Sequence, residues 1–337
     1  MFFLFNSNKM FFFFSMIFST LISISANSWM GCWIGLEINL LSFIPLISNT
    51  NNLMTSEASL KYFLIQSIAS INFLFSIILM MIFMKNFEMN NLFSILINSS
   101  MFMKMGAAPF HFWFPNIIEG LSWLNCFILL TWQKITPMIL LSYYMNTNFL
   151  IMIMIINTII GAIGGINQTS LRKLMSFSSI NNLGWLMFSI LISEYLWLTY
   201  FLFYSFLISI MCFSFYIMNI YFINQLFIFN MNMMLKFLLM INFLSLGGLP
   251  PFLGFFPKWI IINFMILKKF YIISFIFIMM SLITLFFYIR ITYSCILFNY
   301  HKLKWFKINI KNNYFLFIWI NSLISTMGMI LSTFYFL

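Results

Sequence analysis

The chain contains no aspartate and no valine, and its 337 residues include five glutamates, two histidines and four cysteines. Charged residues make up 6% of it, against about 25% in an ordinary soluble domain. That shortage excludes a soluble globular enzyme, since 63% of the residues are hydrophobic and no water-facing exterior can be built from what is left. A disordered chain is excluded for the same reason. The cysteines, Cys32, Cys126, Cys212 and Cys295, stand far apart inside apolar stretches with no CxxC pair. A disulfide framework and an iron–sulfur site are thereby excluded, and the thiols read as small hydrophobes. His111 and His301 are too few for a subunit carrying several His-ligated haems. No phosphate-cradling loop is present. The glycine-rich run Gly161-Ala162-Ile163-Gly164-Gly165 lies inside an apolar segment and reads as a place where helices pack closely.

The scarce residues, Val, Asp, Ala, Glu and Gly, share codons that begin with G, whereas Phe, Ile, Met, Asn, Lys and Tyr abound. This bias points to an A/T-rich gene on a G-poor strand, as in an animal mitochondrial genome, and the base composition of the gene tests it. The start, Met1-Phe2-Phe3-Leu4-Phe5, has no Arg-rich amphipathic transit segment, which fits synthesis inside the organelle. Sixteen Lys and Arg give a net charge of +11. In a soluble protein that excess would suggest nucleic acid. Here the basic residues gather between apolar runs, where they set membrane topology, and no nucleic-acid partner is expected.

The class that remains is an all-α polytopic membrane protein. At roughly 20 apolar residues per crossing, the hydropathy predicts about 11 transmembrane helices, over 2–24, 28–48, 58–84, 92–114, 120–143, 148–168, 172–192, 196–219, 235–268, 271–298 and 314–336. Lys9, Arg172-Lys173 and the basic loop with His301, Lys302, Lys304, Lys307 and Lys311 then share one side. Lys85 with Glu88, and Lys268-Lys269, share the other. The excess of basic charge puts the N-terminus in the mitochondrial matrix and the C-terminus in the intermembrane space.

Two crossings are interrupted. The fourth contains Gly106-Ala107-Ala108-Pro109, and the ninth contains Gly247-Gly248-Leu249-Pro250-Pro251 followed by Pro257. Proline removes a backbone donor and clashes with the preceding turn. Unwound backbone at membrane depth survives only inside protein or beside water. The interruptions lie five crossings apart, so the chain divides into a first five-helix half, 1–143, with its break near 104–115, and a second, 144–298, with its break near 245–258. Residues 299–337 add a basic loop and a last helix. An odd number of crossings per half inverts the second copy, and paired breaks are the mark of an inverted-repeat transporter. The alternative is two unrelated proline kinks, which membrane helices tolerate.

An ionisable group deep in a crossing costs at least about 2.5–3.5 kcal/mol and marks a pathway or counter-ion. Glu37, in Gly35-Leu36-Glu37-Ile38-Asn39, lies too deep to reach the surface easily. Lys104 precedes the first break, Lys134 lies mid-crossing in Trp132-Gln133-Lys134-Ile135-Thr136-Pro137, and Lys258 follows the second break as the crossing-for-crossing counterpart of Lys104. Static pairing of Glu37 with one lysine would leave two lysines without a carboxylate. Unlike Arg, a buried Lys can exchange its proton near neutral pH, and a row of lysines bridged by water can pass a proton in the membrane plane. Lys61 follows Glu57 by four residues and reads equally as an i,i+4 ion pair or as a member of the row. His111, after Pro109, either relays protons or caps broken backbone. Arg290 is expected to pair with the end of a helix. Glu119 and Glu194 read as solvated or capping groups near helix ends.

At these residues the chain resembles the NADH dehydrogenase subunit 2 family of mitochondrial respiratory complex I, an antiporter-like family, in an insect-like version. The matching stretches are GCWIGLEINLLSFIPL (31–46), EASLKYFL (57–64), KMGAAPFHFWFP (104–115), TWQKITP (131–137), GAIGGINQTSLRKLMSFSSINNLGW (161–185) and NFLSLGGLPPFLGFFPKW (242–259). The resemblance implies that Glu37 and Lys104 form the family's carboxylate–lysine pair, that Lys134 is its central lysine, and that Lys258 belongs to its second broken helix. It also raises the standing of Lys61. Asn182 stands where relatives often carry His, which argues against a proton relay there.

What the resemblance implies is a core subunit of an H+-translocating NADH:ubiquinone reductase in the mitochondrial inner membrane, with no redox site and no cofactor of its own. NADH, FMN, iron–sulfur clusters and ubiquinone would lie in the rest of the complex. Its partners would be neighbouring antiporter-like subunits, the quinone-end subunits and membrane lipid. The rivals are a stand-alone cation/proton antiporter or another antiporter-like subunit, and a structural membrane subunit without its own proton path.

Overall fold

A computed structural model of the chain describes residues 7–49, 52–83, 90–228, 233–297 and 312–328. Apart from one isolated bridge between Ser170 and Phe222, the described residues form helices and turns. The backbone bonds of each helix close within that helix, as a hydrocarbon surrounding requires. Among the described residues eight helical stretches, with Trp123–Tyr143 counted as one, are long and apolar enough to cross a membrane. Shorter apolar helices follow over Met233–Gly247, Phe255–Leu267 and Tyr314–Thr326, and the predicted fourth crossing is covered by Asn90–Met105 and Trp113–Gly120. The chain divides into two compact units, Met1–Ile153 and Met154–Leu337.

The first unit contains α1 (Ser7–Ser25), α2 (Trp29–Ile47), α3 (Leu53–Phe83), α4 (Asn90–Met105), α5 (Trp113–Gly120), α6 (Trp123–Leu130) and α7 (Trp132–Tyr143). The Ser28 hydroxyl caps α2 by accepting from the Gly31 N–H at 3.2 Å. Gly35 lies where α2 meets α1 at Ser23, close enough that a Cβ would sit 2.7 Å from the Ser23 Cβ. The fourth crossing is α4, then non-helical backbone over 106–112, then α5. The fifth crossing departs from the single helix the hydropathy suggests, because it is interrupted at Thr131 between α6 and α7. A turn further on, Pro137 has no N–H, which leaves the Gln133 carbonyl without a helical donor.

The helix α8 (Thr147–Gly165) joins the units in sequence. The second unit holds α9 (Leu171–Ile192), α10 (Glu194–Met218), the short α11 (Ile223–Ile228), α12 (Met233–Gly247), α13 (Phe255–Leu267), α14 (Tyr271–Leu297) and α15 (Asn312–Thr326). Gly161 brings α8 against α9, where a Cβ would stand 2.4 Å from the Asn181 nitrogen. This is the close packing expected of that glycine-rich run. Ser193 caps α10 by accepting from the Leu196 N–H, and Glu194 occupies its first turn, where the helix dipole favours a carboxylate. The connections 169–171 and 221–223 are stitched together by Leu171 N–H to Tyr221 O at 2.9 Å and Ile223 N–H to Thr169 O at 3.1 Å. The Arg172 guanidinium lies 4.6 Å from the centre of the Tyr221 ring.

Large apolar side chains cover the outside of the helices, among them Phe11, Phe18, Ile71, Phe75, Ile272 and Phe275. Polar ones are buried inside, and α9 alone buries Ser176, Ser178, Ser179, Asn181 and Asn182. In water this distribution would aggregate, whereas in lipid it is the expected one. All four cysteines are buried. The basic loop carrying His301, Lys302, Lys304, Lys307 and Lys311, and the Lys85–Glu88 connection, lie outside the described residues.

Candidate functional site

Both interrupted crossings end their first half in the same way. At Gly106 the chain turns with φ +70°, the Gly106 N–H donates to Met103 O at 3.3 Å, and the Ala107 N–H donates to Phe102 O at 3.0 Å. At Gly248 φ is +84°, the Gly248 N–H donates to Ser245 O at 3.1 Å, and the Leu249 N–H donates to Leu244 O at 3.3 Å. Each is a Schellman ending, which needs a left-handed residue just past the helix and therefore selects glycine.

In the first unit Lys104 sits in the last turn of α4. A cation there is favoured by the carbonyl end of the helix. Its side chain is 8% exposed, and the Gln66 amide of α3 donates to its carbonyl at 3.1 Å. Glu37 is half-buried on α2. Lys134, on the first turn of α7, is 1% exposed, and its ammonium lies 5.2 Å from the centre of the Phe114 ring, a favourable cation–π placement. That ring packs on the break, because a Cβ at Gly106 would come within 3.0 Å of Phe114.

Lys104 and Lys134 line one cavity together with Asn39, Tyr62, Gln66, Gln133 and Thr136. It gives the centres of water molecules about 20 Å³, and one water needs roughly 10–15 Å³ by that measure. The Gln133 amide donates to Asn39 Oδ1 at 3.0 Å across the wall, tying α7 to the helix that carries Glu37. The arrangement is two buried amino groups on the wall of an amide-lined space large enough for water. It can hold and pass protons. It offers no nucleophile–base pair for covalent chemistry.

In the second unit Lys258 stands in the first turn of α13, just after the break, and is buried. Its ammonium donates to Gly247 O, the last carbonyl of α12, at 3.1 Å. The two lysines at the breaks therefore differ in local setting. Lys104 precedes its glycine, whereas Lys258 reaches back across its own.

The remaining candidates are placed as follows. Lys61 pairs with Glu57 at 2.5 Å, with side chains 48% and 59% exposed. That is the i,i+4 ion pair, and Lys61 does not line the cavity. His111 is buried inside the first break, its ring 4.2 Å from that of Phe112 and interacting with the Pro109 backbone. It too lies off the cavity wall. Arg290 donates to the Ile166 carbonyl just past the end of α8, the helix-end partner expected of it. Asn182 accepts from the Tyr200 hydroxyl at 3.2 Å. Hydropathy overlooked Lys236, which is buried and donates to the Cys295 carbonyl at 2.9 Å, in the last turn of α14. It stands at the edge of a crossing, where a lysine reads as solvated. Asn39, Gln66 and Gln133 were equally silent, because a neutral amide in an apolar run carries no charge signal.

Fold and site together define a polytopic membrane protein of the antiporter-like kind, with ionisable groups buried beside interrupted helices. The profile of the family described as NADH:quinone oxidoreductase/Mrp antiporter, TM matches residues 26–284, and the chain belongs to that family. It is 51% identical over 306 residues to NADH-ubiquinone oxidoreductase chain 2 of Anopheles gambiae, covering 89% of this chain and 88% of that one. It is 51% identical over 336 residues to the chain of the same description from Aedes aegypti, covering 97% of each. Its fold superposes with TM-score 0.81 on a chain of respiratory complex I from Thermus thermophilus, at 16% identity, over 97% of this chain and 79% of that one.

Proposed function

We propose that this chain is a proton-translocating subunit of the membrane arm of NADH:ubiquinone oxidoreductase, coupling electron transfer in other subunits to proton movement through its buried Glu and Lys residues. The observation that carries this reading is that Lys104 and Lys134, both inside an apolar bundle, open on one cavity large enough for water. In this reading Glu37, on the helix that Gln133 ties to α7 through Asn39, gates the step: a change in its position or protonation changes how firmly Lys104 holds its proton. Water in the cavity then hands the proton between Lys104 and Lys134. Lys258, on the carbonyl end of α12, performs the corresponding step in its own unit. Lys61 is left out of the path by its exposed partner, and His111 serves the broken backbone.

The halves 1–143 and 144–298 are copies of one five-crossing unit, with 299–337 appended. The like endings at Gly106 and Gly248 support this. NADH, FMN, the iron–sulfur clusters and ubiquinone belong to the other subunits, and this chain binds none of them. Its partners are neighbouring antiporter-like subunits and the subunits at the quinone end, with lipid against its apolar exterior. It is a multi-pass protein of the mitochondrial inner membrane, with the N-terminus in the matrix and the C-terminus in the intermembrane space, on the asymmetry of basic residues between crossings.

The test is Lys134→Met in the assembled complex. NADH oxidation coupled to proton translocation should fall, and unchanged pumping with full assembly would reject the role given to Lys134. A native gel stained for NADH dehydrogenase activity separates the rivals. An independent antiporter would migrate away from the active band.

A further inference from the structure

We infer that Asn98 and Thr136 form, with bound water, a polar file in the first unit, leading from the lysine cavity to the end of the bundle where α4 begins and α7 ends. Asn98 is 0% exposed on α4, and neither its amide oxygen nor its amide nitrogen meets a protein group. Thr136, on the cavity wall, is also fully buried, and its hydroxyl has no protein partner. An unpaired buried polar group costs about 1–3 kcal/mol, so a leucine at Asn98 would serve packing better. The amide makes sense where water reaches it.

The direction of the file follows from how α4 and α7 run. Lys104 at the end of α4 meets Lys134 and Thr136 at the start of α7 in one cavity. At the other end, Asn146, three residues past α7, donates to the Ser94 hydroxyl at 3.3 Å. The two helices are therefore antiparallel. Ser94, Asn98 and Met105 recur at helical spacing on one stripe of α4, and Met105 lines the cavity. The opposite stripe carries Met103, whose sulfur accepts from Asn72 of α3. Asn98 thus lies on the stripe of α4 that meets Asn146 at one end and the cavity at the other. At 1.5 Å per residue it stands about 9 Å along the axis from Lys104 and about 6 Å from Ser94. Two or three waters at a spacing of about 2.8 Å span the longer step. Ser94 and the half-buried Asn146 lead on to the surface.

The file gives protons held by the lysine pair a route within this unit, and it rests on the proton-translocating reading above. The test measures protons moved per NADH oxidised, and the solvent isotope effect on coupled turnover, in inner-membrane vesicles carrying the assembled complex. Asn98→Leu and Thr136→Val are compared with Asn98→Ser and with Lys134→Met. The expected result is a several-fold loss of coupled proton movement in Asn98→Leu and Thr136→Val, with substantial recovery in Asn98→Ser, whose hydroxyl still binds water. Thr136→Val keeps the side-chain shape and decides the matter if Asn98→Leu does not assemble. Normal pumping in Asn98→Leu and Thr136→Val, with Lys134→Met impaired, overturns the file and leaves the wider reading standing. Equal impairment of Asn98→Leu and Asn98→Ser, with Thr136→Val normal, assigns Asn98 to packing and also overturns it. Normal pumping in Lys134→Met overturns both.

Discussion

Gly247 and Gly248 are neighbours, yet alanine should be tolerated at one and not at the other. At Gly247 an added Cβ would find its closest atoms, Leu285 Cα and Cγ, at 3.5 and 3.6 Å, an ordinary van der Waals separation. Gly247 is the last residue of α12, so alanine there gains up to about 1 kcal/mol of helix propensity. At Gly248 the backbone holds φ +84°, and a residue with a Cβ costs roughly 1–2 kcal/mol in that region. The Cβ would also stand 3.1 Å from Lys258 Nζ and 3.3 Å from its Cδ. Lys258 would have to retreat from the Gly247 carbonyl, which it now reaches at 3.1 Å. A hydrogen bond to a charged group contributes about 1.5–3 kcal/mol. Gly248→Ala should therefore cost about 2.5–5 kcal/mol in all, whereas Gly247→Ala should be neutral or slightly stabilising. The assay is retention of the chain in the assembled complex on native gels after graded heating, read beside coupled proton translocation. Gly248→Ala should lose both at lower temperature, and Gly247→Ala should match the unmodified protein. Equal behaviour of the two variants, or a worse Gly247→Ala, would refute the argument from φ and from the lysine contact.

Two further substitutions probe the lysines outside the proposed path. Lys61→Ala removes an exposed i,i+4 pair, so stability should change by less than about 0.5 kcal/mol. Assembly and pumping should be normal, and a pumping defect would return Lys61 to the path. Lys236→Met strands the Cys295 carbonyl in the last turn of α14 and should cost about 1.5–3 kcal/mol. The complex should dissociate at lower temperature while protons moved per NADH stay unchanged, and a lowered ratio would instead make Lys236 a working group.

Much of this protein was determined by its sequence alone. The membrane class follows from the scarcity of charge and the apolar excess, because solvation is a property of composition. The apolar segments follow from hydropathy, and both interruptions from glycine and proline, because each effect acts within a few residues of chain. Glu37, Lys104, Lys134 and Lys258 were visible because a charge in an apolar run is conspicuous. Only the tertiary structure decided which of these meet. Lys104 and Lys134 share a cavity because α4 and α7 pack antiparallel, whereas Lys61 turns outward to Glu57. The buried amides of Asn39, Gln66, Gln133 and Asn98, and the helix-capping lysine Lys236, carry no sequence signal. Their burial and their partners arise from contacts between segments far apart in the chain, and periodicity along one segment does not encode what another brings to it.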